Sequence, residues 1–243
     1  MQPMNTLIKS ITLASLTLIT PLICNAQETA DSTPKTAKEM NDIKADWHNL
    51  LEGNNLDQWR PWRKGIENVT AWTVKDGILH LNKSEGRVKY SGSLITLKQY
   101  PNFEFKFEFK ISKGGNSGIK YRSLDNLGLE YQILDDEAAK DGKNPKNRVA
   151  SLYQLVAAPD DKPIKPAGEW NTGRIIANGN NIQQWFNGVK MVDIEIGSEE
   201  WKAAFADSKY KDKKDFAKQS AEILIQDHGD EVSYRNLFIK ELK

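Results

Sequence analysis

The clearest pattern along the chain is the alternation Phe103-Glu104-Phe105-Lys106-Phe107-Glu108-Phe109-Lys110. A two-residue period places the phenylalanines on one face of a strand and the charges on the other, which predicts a half-buried strand with one wet side. Shorter runs rich in β-branched and aromatic residues predict strands at 72–81, turning at Asp76-Gly77, and at 118–123, 128–134, 174–177, 181–186, 221–226 and 233–242. Gly114-Gly115-Asn116, Asn178-Gly179-Asn180, Asn187-Gly188 and His228-Gly229-Asp230 separate them with residues that tolerate positive φ. About ten short strands joined in this way predict an all-β chain, a jelly-roll-like β-sandwich of two antiparallel sheets. One short helix is predicted at 198–205, capped by Ser198 with Glu199 and Glu200 in its first turn.

The N-terminus breaks this pattern. Lys9, an apolar run over 11–23 and then Cys24-Asn25-Ala26 read as a secretory signal peptide over residues 1–26, too short for a permanent membrane span. Lipidation at Cys24 is the rival reading, but Ile23 stands where a small residue is wanted. Residues 27–46 are polar and aperiodic and read as a disordered linker, which leaves one domain over 47–243. The expected location is periplasmic or secreted. Cys24 is the sole cysteine of the 243 residues, so neither an internal disulfide nor a cysteine-built metal site is available. The 39% hydrophobic content excludes a wholly disordered chain, and 34 basic against 33 acidic residues give no electrostatic case for nucleic acid or an anionic membrane.

Three polar clusters carry candidate chemistry. In Gly114–Arg122 the glycines lack the lysine and strand-to-helix order of a phosphate loop. Ile119 and Tyr121 are expected in the core, with Lys120 and Arg122 on the other face, where Arg122 is a candidate oxyanion-stabilising cation. In 128–136, Leu129, Tyr131 and Ile133 take the buried face and Glu130 and Gln132 emerge together; Asp135 joins them only if the strand bulges or ends at Leu134. Two carboxylates close together can divide acid and base roles. In 225–230, His228 beside Asp227 is a general-base candidate, although adjacent residues of a strand point to opposite faces. Solvated charges on a wet face and a hairpin-tip histidine are the bland alternatives. His48 and His80 read as structural, the three scattered histidines make no zinc set, and no cofactor or metal is expected. Seven tryptophans either fill the core or, as with Trp170 beside Asn171, stack on sugar.

The motifs Glu52–Trp59, Gly114–Ile119, Gly128–Asp135, Gly168-Glu169-Trp170-Asn171, Trp185-Phe186-Asn187-Gly188, Gln226-Asp227-His228-Gly229 and Tyr234-Arg235-Asn236 occur in this order. Together they resemble the 3-keto-disaccharide hydrolase domain family over 47–243. The resemblance implies a concanavalin A-like sandwich acting on an oxidised oligosaccharide or glycoside, by hydrolysis or by elimination followed by hydration. On that basis Glu130 or His228 is the base, the other or Asp135 the acid, and Arg122 the enolate stabiliser. Asn116, Gln132, Tyr153, Asn171, Gln226 and Asp227 are the expected substrate-binding residues, with Trp170 as platform. Two departures stand out: Ala138-Ala139 and Glu222-Ile223 occupy places where the family often has histidine. A retaining glycosidase of laminarinase-like fold and a non-catalytic lectin-like module are the alternatives.

Overall fold

The computed structural model describes residues 46–63, 71–82, 92–124, 127–217 and 221–243. The signal peptide and nearly all of the linker read from the sequence lie outside the described residues.

The described residues form strands β1 (His48–Asn49), β2 (Trp59–Pro61), β3 (Trp72–Lys75), β4 (Ile78–Leu81), β5 (Leu94–Tyr100), β6 (Phe103–Ile111), β7 (Asn116–Leu124), β8 (Leu127–Leu134), β9 (Asn171–Asn178), β10 (Asn181–Phe186), β11 (Val189–Glu195), β12 (Ala221–Ile225) and β13 (Val232–Glu241), with an α-helix, α1 (Glu199–Ala206). They build two antiparallel sheets. The larger has the order β11-β10-β9-β6-β13-β4-β3, with β1 also on β13; the smaller has the order β2-β5-β12-β7-β8. The expected two-sheet sandwich is therefore what forms, and α1 is the one α-helix among the described residues. Ser198 caps α1 as its sequence predicts, its Oγ accepting from Trp201 N at 3.1 Å.

The alternation in β6 explains how the layers meet. Phe103, Phe105, Phe107 and Phe109 are all buried. Phe103 meets Tyr121 of the other sheet edge-on at 5.8 Å, and Phe107 meets Tyr131 at 5.1 Å and 87°. Such pairs contribute about 0.5–1.5 kcal/mol each beyond area burial. Gly173, registered opposite Phe107 on β9, leaves room for that ring, since a Cβ there would run into the ring atoms. The polar side of β6 is wet and paired: Glu104 with Arg174 at 2.6 Å, and Glu108 with Arg235 at 2.7 Å.

The face of β7 and β8 turned away from the core behaves differently. Lys120, Glu130 and Gln132 alternate with core residues as predicted, yet all three are buried. The chain after β8 runs back along its outer edge: Tyr153 N donates to Glu130 O at 3.0 Å, Gln132 N to Ser151 O at 3.2 Å and Ala150 N to Gln132 O at 2.9 Å. With Tyr153 from this segment and Lys209 and Tyr210 from beyond α1, a face that is wet by periodicity becomes one side of a cleft.

Candidate active site

The cleft has a volume of about 260 Å³ and is lined by Asn116, Lys120, Leu127, Glu130, Gln132, Tyr153, Lys209, Tyr210, Gln226 and His228. Its floor is set by strand register. Lys120 pairs with Glu130 and Gly118 with Gln132 across β7 and β8, while Gln226 N donates to Gly118 O at 2.9 Å from the end of β12. Gly118 is bare for a reason: a Cβ there would lie 2.5 Å from Glu130 Oε1. The carboxylate thus hangs over Gly118 between the two glutamines.

Glu130 is 4% exposed and Lys120 is 7% exposed, with Lys120 Nζ 3.5 Å from Glu130 Oε2. Burial pushes the Glu130 carboxyl above the usual carboxylate range, against the pull of the Lys120 and Lys209 charges. Burial likewise holds the Lys209 ammonium below the ordinary lysine value, offset in part by Glu130. Lys209 Nζ sits 4.3 Å from the centre of the Tyr153 ring and 5.1 Å from that of Tyr210, so the two aromatics flank it. Tyr210 stacks on Phe216 at 4.2 Å, anchoring this loop to the cluster that α1 makes through Trp201. A carboxylate poised to hold a proton, beside two ammonium groups, is equipped for proton abstraction next to a developing negative charge.

Of the residues expected from sequence, the fold brings Asn116, Glu130, Gln132, Tyr153, Gln226 and His228 together here. Five others stand elsewhere. Arg122 has φ 47° within the register shift of β7, which swings its guanidinium to the Pro101 carbonyl at 3.2 Å rather than alongside Lys120. Asp135 does follow the end of β8, but its carboxylate accepts from Gly114 N at 2.7 Å and Glu137 N at 3.2 Å and fixes the turn. Asp227, in the segment after β12 ends, is fully buried and accepts from Gly92 N at 3.0 Å and Gly229 N at 2.9 Å. Asn171 bonds Lys165 N at 3.0 Å and Asn187 Nδ2 at 2.7 Å, tying a loop to the β10–β11 turn. Trp170 lies with the other sheet, its ring 4.2 Å from the Arg235 guanidinium. Among the described residues no tryptophan lines the cleft, and its aromatics are Tyr153 and Tyr210.

Lys120, Leu127, Lys209 and Tyr210 complete the lining without having been candidate site residues in the sequence. Lys120 was visible as the cross-strand partner of Glu130, given the register. Lys209 and Tyr210 come from an aperiodic turn after α1 and had no signal. Among the described residues no group of three or more His, Cys, Asp or Glu is placed to hold a metal ion.

A larger cavity, about 600 Å³, opens beside Asp135, Asp136, Arg148 and Lys162. Its charges are engaged in structure: Lys162 with Asp136 at 2.9 Å, Asp136 also with Val149 N at 2.7 Å, and Arg148 with Asp160 at 2.6 Å. It is lined by charges of both signs, and it shares none of the residues that line the cleft around Glu130.

A family model described as a 3-keto-alpha-glucoside-1,2-lyase-like domain matches residues 46–240. The chain belongs to this family. A 3-keto-disaccharide hydrolase of Bacteroides thetaiotaomicron is 31% identical over 90% of this chain and 88% of its own length. Two solved structures from Parabacteroides distasonis, each described as a candidate glycosyl hydrolase, superpose with TM-scores of 0.72 and 0.64 at 26% and 28% identity. They cover 86% and 81% of this chain and 99% of their own. The family match spans every residue of the cleft and both sheets that carry it.

Proposed function

We propose that this chain is a carbohydrate-active enzyme that cleaves 3-keto-glycosides in the Glu130 cleft, by elimination followed by hydration. The observation that carries the reading is the donor set: one carboxylate, Glu130, with two lysines among the cleft-lining residues. A ketone at C3 of a sugar acidifies the hydrogen at C2. Glu130 accepts that proton, the C3 oxygen gains the charge of an enolate, and Lys120 and Lys209 stabilise it in the role first given to Arg122. The electron pair then returns to form the C1–C2 double bond as the C1–O bond breaks. His228, on the cleft wall, protonates the leaving oxygen. Water then adds across the enone, hydroxyl at C1 and proton at C2, so the net change is hydrolysis.

A retaining glycosidase needs two carboxyls about 5–5.5 Å apart around one bond. The described cleft lining offers one; Asp141 stands behind Asn116, accepting from its Nδ2 at 3.2 Å. The family match and the 3-keto-disaccharide hydrolase relative support the same substrate class.

The test is incubation of a 3-keto-disaccharide and its unoxidised parent in deuterated water. The expected result is cleavage of the oxidised sugar only, with deuterium at C2 of the released keto sugar. Comparable cleavage of the parent without C2 label would overturn the mechanism. We further propose export with cleavage after Ala26, on the small residue that follows the apolar run. Intact mass of protein recovered from the native compartment is expected to begin at Gln27; a retained, acylated Cys24 would replace this reading with a lipoprotein.

A further inference from the structure

The larger sheet carries a groove on its outward face, across the core from the Glu130 cleft, with a volume of about 550 Å³. Trp185 and Phe238 line it, both half-buried and neither part of the core. Strand alternation sets their direction: the neighbours Gln184 and Phe186 are fully buried, as are Leu237 and Ile239 around Phe238, so the two rings point outward. An aromatic ring on a wet face forgoes the burial that favours it, and two lining one groove mark a binding surface.

Register puts the two rings at opposite ends of one row. Phe238 pairs with Lys106, Lys106 with Arg174 and Arg174 with Trp185, from β13 through β6 and β9 to β10. Three inter-strand steps separate the rings by about 14 Å, a span longer than one pyranose ring. Asn236, Glu108 and Thr172 line the groove beside this row.

The charges here are already partnered within the protein. Arg174 Nε meets Glu104 at 2.6 Å, Lys106 Nζ lies 3.6 Å from the same carboxylate, and Glu108 is held by Arg235 at 2.7 Å and by Asn236 Nδ2 at 2.6 Å. Hydrogen-bonding capacity is left over: among the described residues, Arg174 Nη1 and Nη2 and Asn236 Oδ1 bond no other group. Trp185 is braced, with the Arg174 guanidinium 5.2 Å and Lys190 Nζ 5.8 Å from its ring centre and its Nε1 donating to Gln183 Oε1 at 3.2 Å. A ring fixed in advance loses little freedom when a ligand arrives.

We propose that this groove is a second carbohydrate site, which binds an uncharged oligosaccharide laid across the strands. Trp185 and Phe238 meet the C–H surfaces of rings at its two ends, and Arg174 and Asn236 bond hydroxyls between them. The ligand class follows from the lining: apolar surface at both ends, spare donors and an acceptor between, and no charge left to neutralise. Glu108, the one carboxylate lining the groove, is occupied by Arg235 and Asn236, so the site binds without reacting. It goes beyond the reaction proposed above and does not depend on it. Its effect is to hold the protein on a glycan while the opposite sheet turns over substrate.

Affinity gel electrophoresis of the protein through laminarin, xyloglucan and dextran tests the site, with alginate as the acidic comparison. Retardation by at least one of the three uncharged glucans is expected, and by more than alginate gives. Trp185→Ala and Phe238→Ala are each expected to weaken it about tenfold or more. Their melting temperatures are expected to stay within about 2 °C of wild type, and turnover in the cleft to be unchanged. Thr172→Tyr keeps both rings and fills the groove between them, so it is expected to abolish retardation, and it decides the question should an alanine variant lose stability. Absence of retardation in all three glucans would overturn the proposal. So would retardation that survives Thr172→Tyr, which would return binding to the Glu130 cleft, or a preference for alginate, which would make this face a polyanion patch. Failure of the 3-keto reading leaves the test intact, because retardation reads binding alone.

Discussion

Lys120 and Glu130 face one another across β7 and β8, with 3.5 Å between Nζ and Oε2 and side-chain exposures of 8% and 5%. Two unlike charges taken this far out of water stabilise each other only while both remain. Lys120→Met is therefore expected to destabilise the fold by about 3–5 kcal/mol at neutral pH, by urea unfolding, since it strands a buried carboxylate. The loss is expected to shrink in acid, where that carboxyl is protonated. A variant as stable as wild type at neutral pH would mean that the pair is solvated in solution.

Glu130→Gln keeps shape and size but cannot accept a proton near neutrality. Turnover of a 3-keto-disaccharide by the folded variant is expected to fall about 10²–10⁴-fold, with a lower melting temperature as well, since the exchange leaves the buried Lys120 without its carboxylate. Unchanged kcat would remove Glu130 from the chemistry and make its burial purely structural.

The pH profile of kcat/KM follows from the two displaced groups. The Glu130 carboxyl is held above its ordinary value, chiefly by burial, so it stays protonated and inactive as a base at acidities where an exposed glutamate has ionised. Activity is expected to rise with pH through that raised value. Lys209 is held below its ordinary value by burial, so its charge is lost, and activity with it, at lower pH than for an exposed lysine. Lys209→Arg, with a guanidinium that does not deprotonate, is expected to move the alkaline limb upward. An alkaline limb identical in wild type and variant would assign it to another group.

Gly118→Ala adds one methyl group at 2.5 Å from Glu130 Oε1. The carboxylate is buried and paired with Lys120, so it retreats only by disturbing that pair. A displacement near 1 Å from productive geometry costs about 10²-fold in rate. That loss in kcat/KM is expected, with far less change in melting temperature than Lys120→Met produces. Wild-type kinetics in the alanine variant would show that the position of Glu130 over Gly118 is not used.

Legibility in the sequence followed burial. The phenylalanine alternation of β6 names its own core face because the other face stays wet, and the Asp76-Gly77 and Asn187-Gly188 turns carry the positive φ that those residue types favour. Strands β5 and β11 went unread: Leu94, Ile95 and Thr96 are buried in succession and Leu97, Lys98 and Gln99 are exposed in succession, so β5 shows no two-residue period. In the site, Glu130 and Gln132 share a face as their spacing requires. Arg122 does not follow Lys120, because a bulge breaks the alternation between them and no local signal announces it. Lys209 and Tyr210 reach the cleft only through tertiary packing of the turn after α1.

The segment along the edge of β8 also bears on self-association. Strand β8 is the last in its sheet, and a terminal strand with free amides and carbonyls is a template on which a second chain can add. Here that template is already taken: the residues after the strand, 150–153, satisfy Glu130 O, Gln132 N and Gln132 O from within the same molecule. The backbone bonds that deliver Tyr153 to the cleft are therefore the ones that keep the molecule from polymerising along this margin. Shortening this segment to widen the pocket for larger substrates would uncover the strand, and the first symptom of such an engineered enzyme would be aggregation rather than altered selectivity.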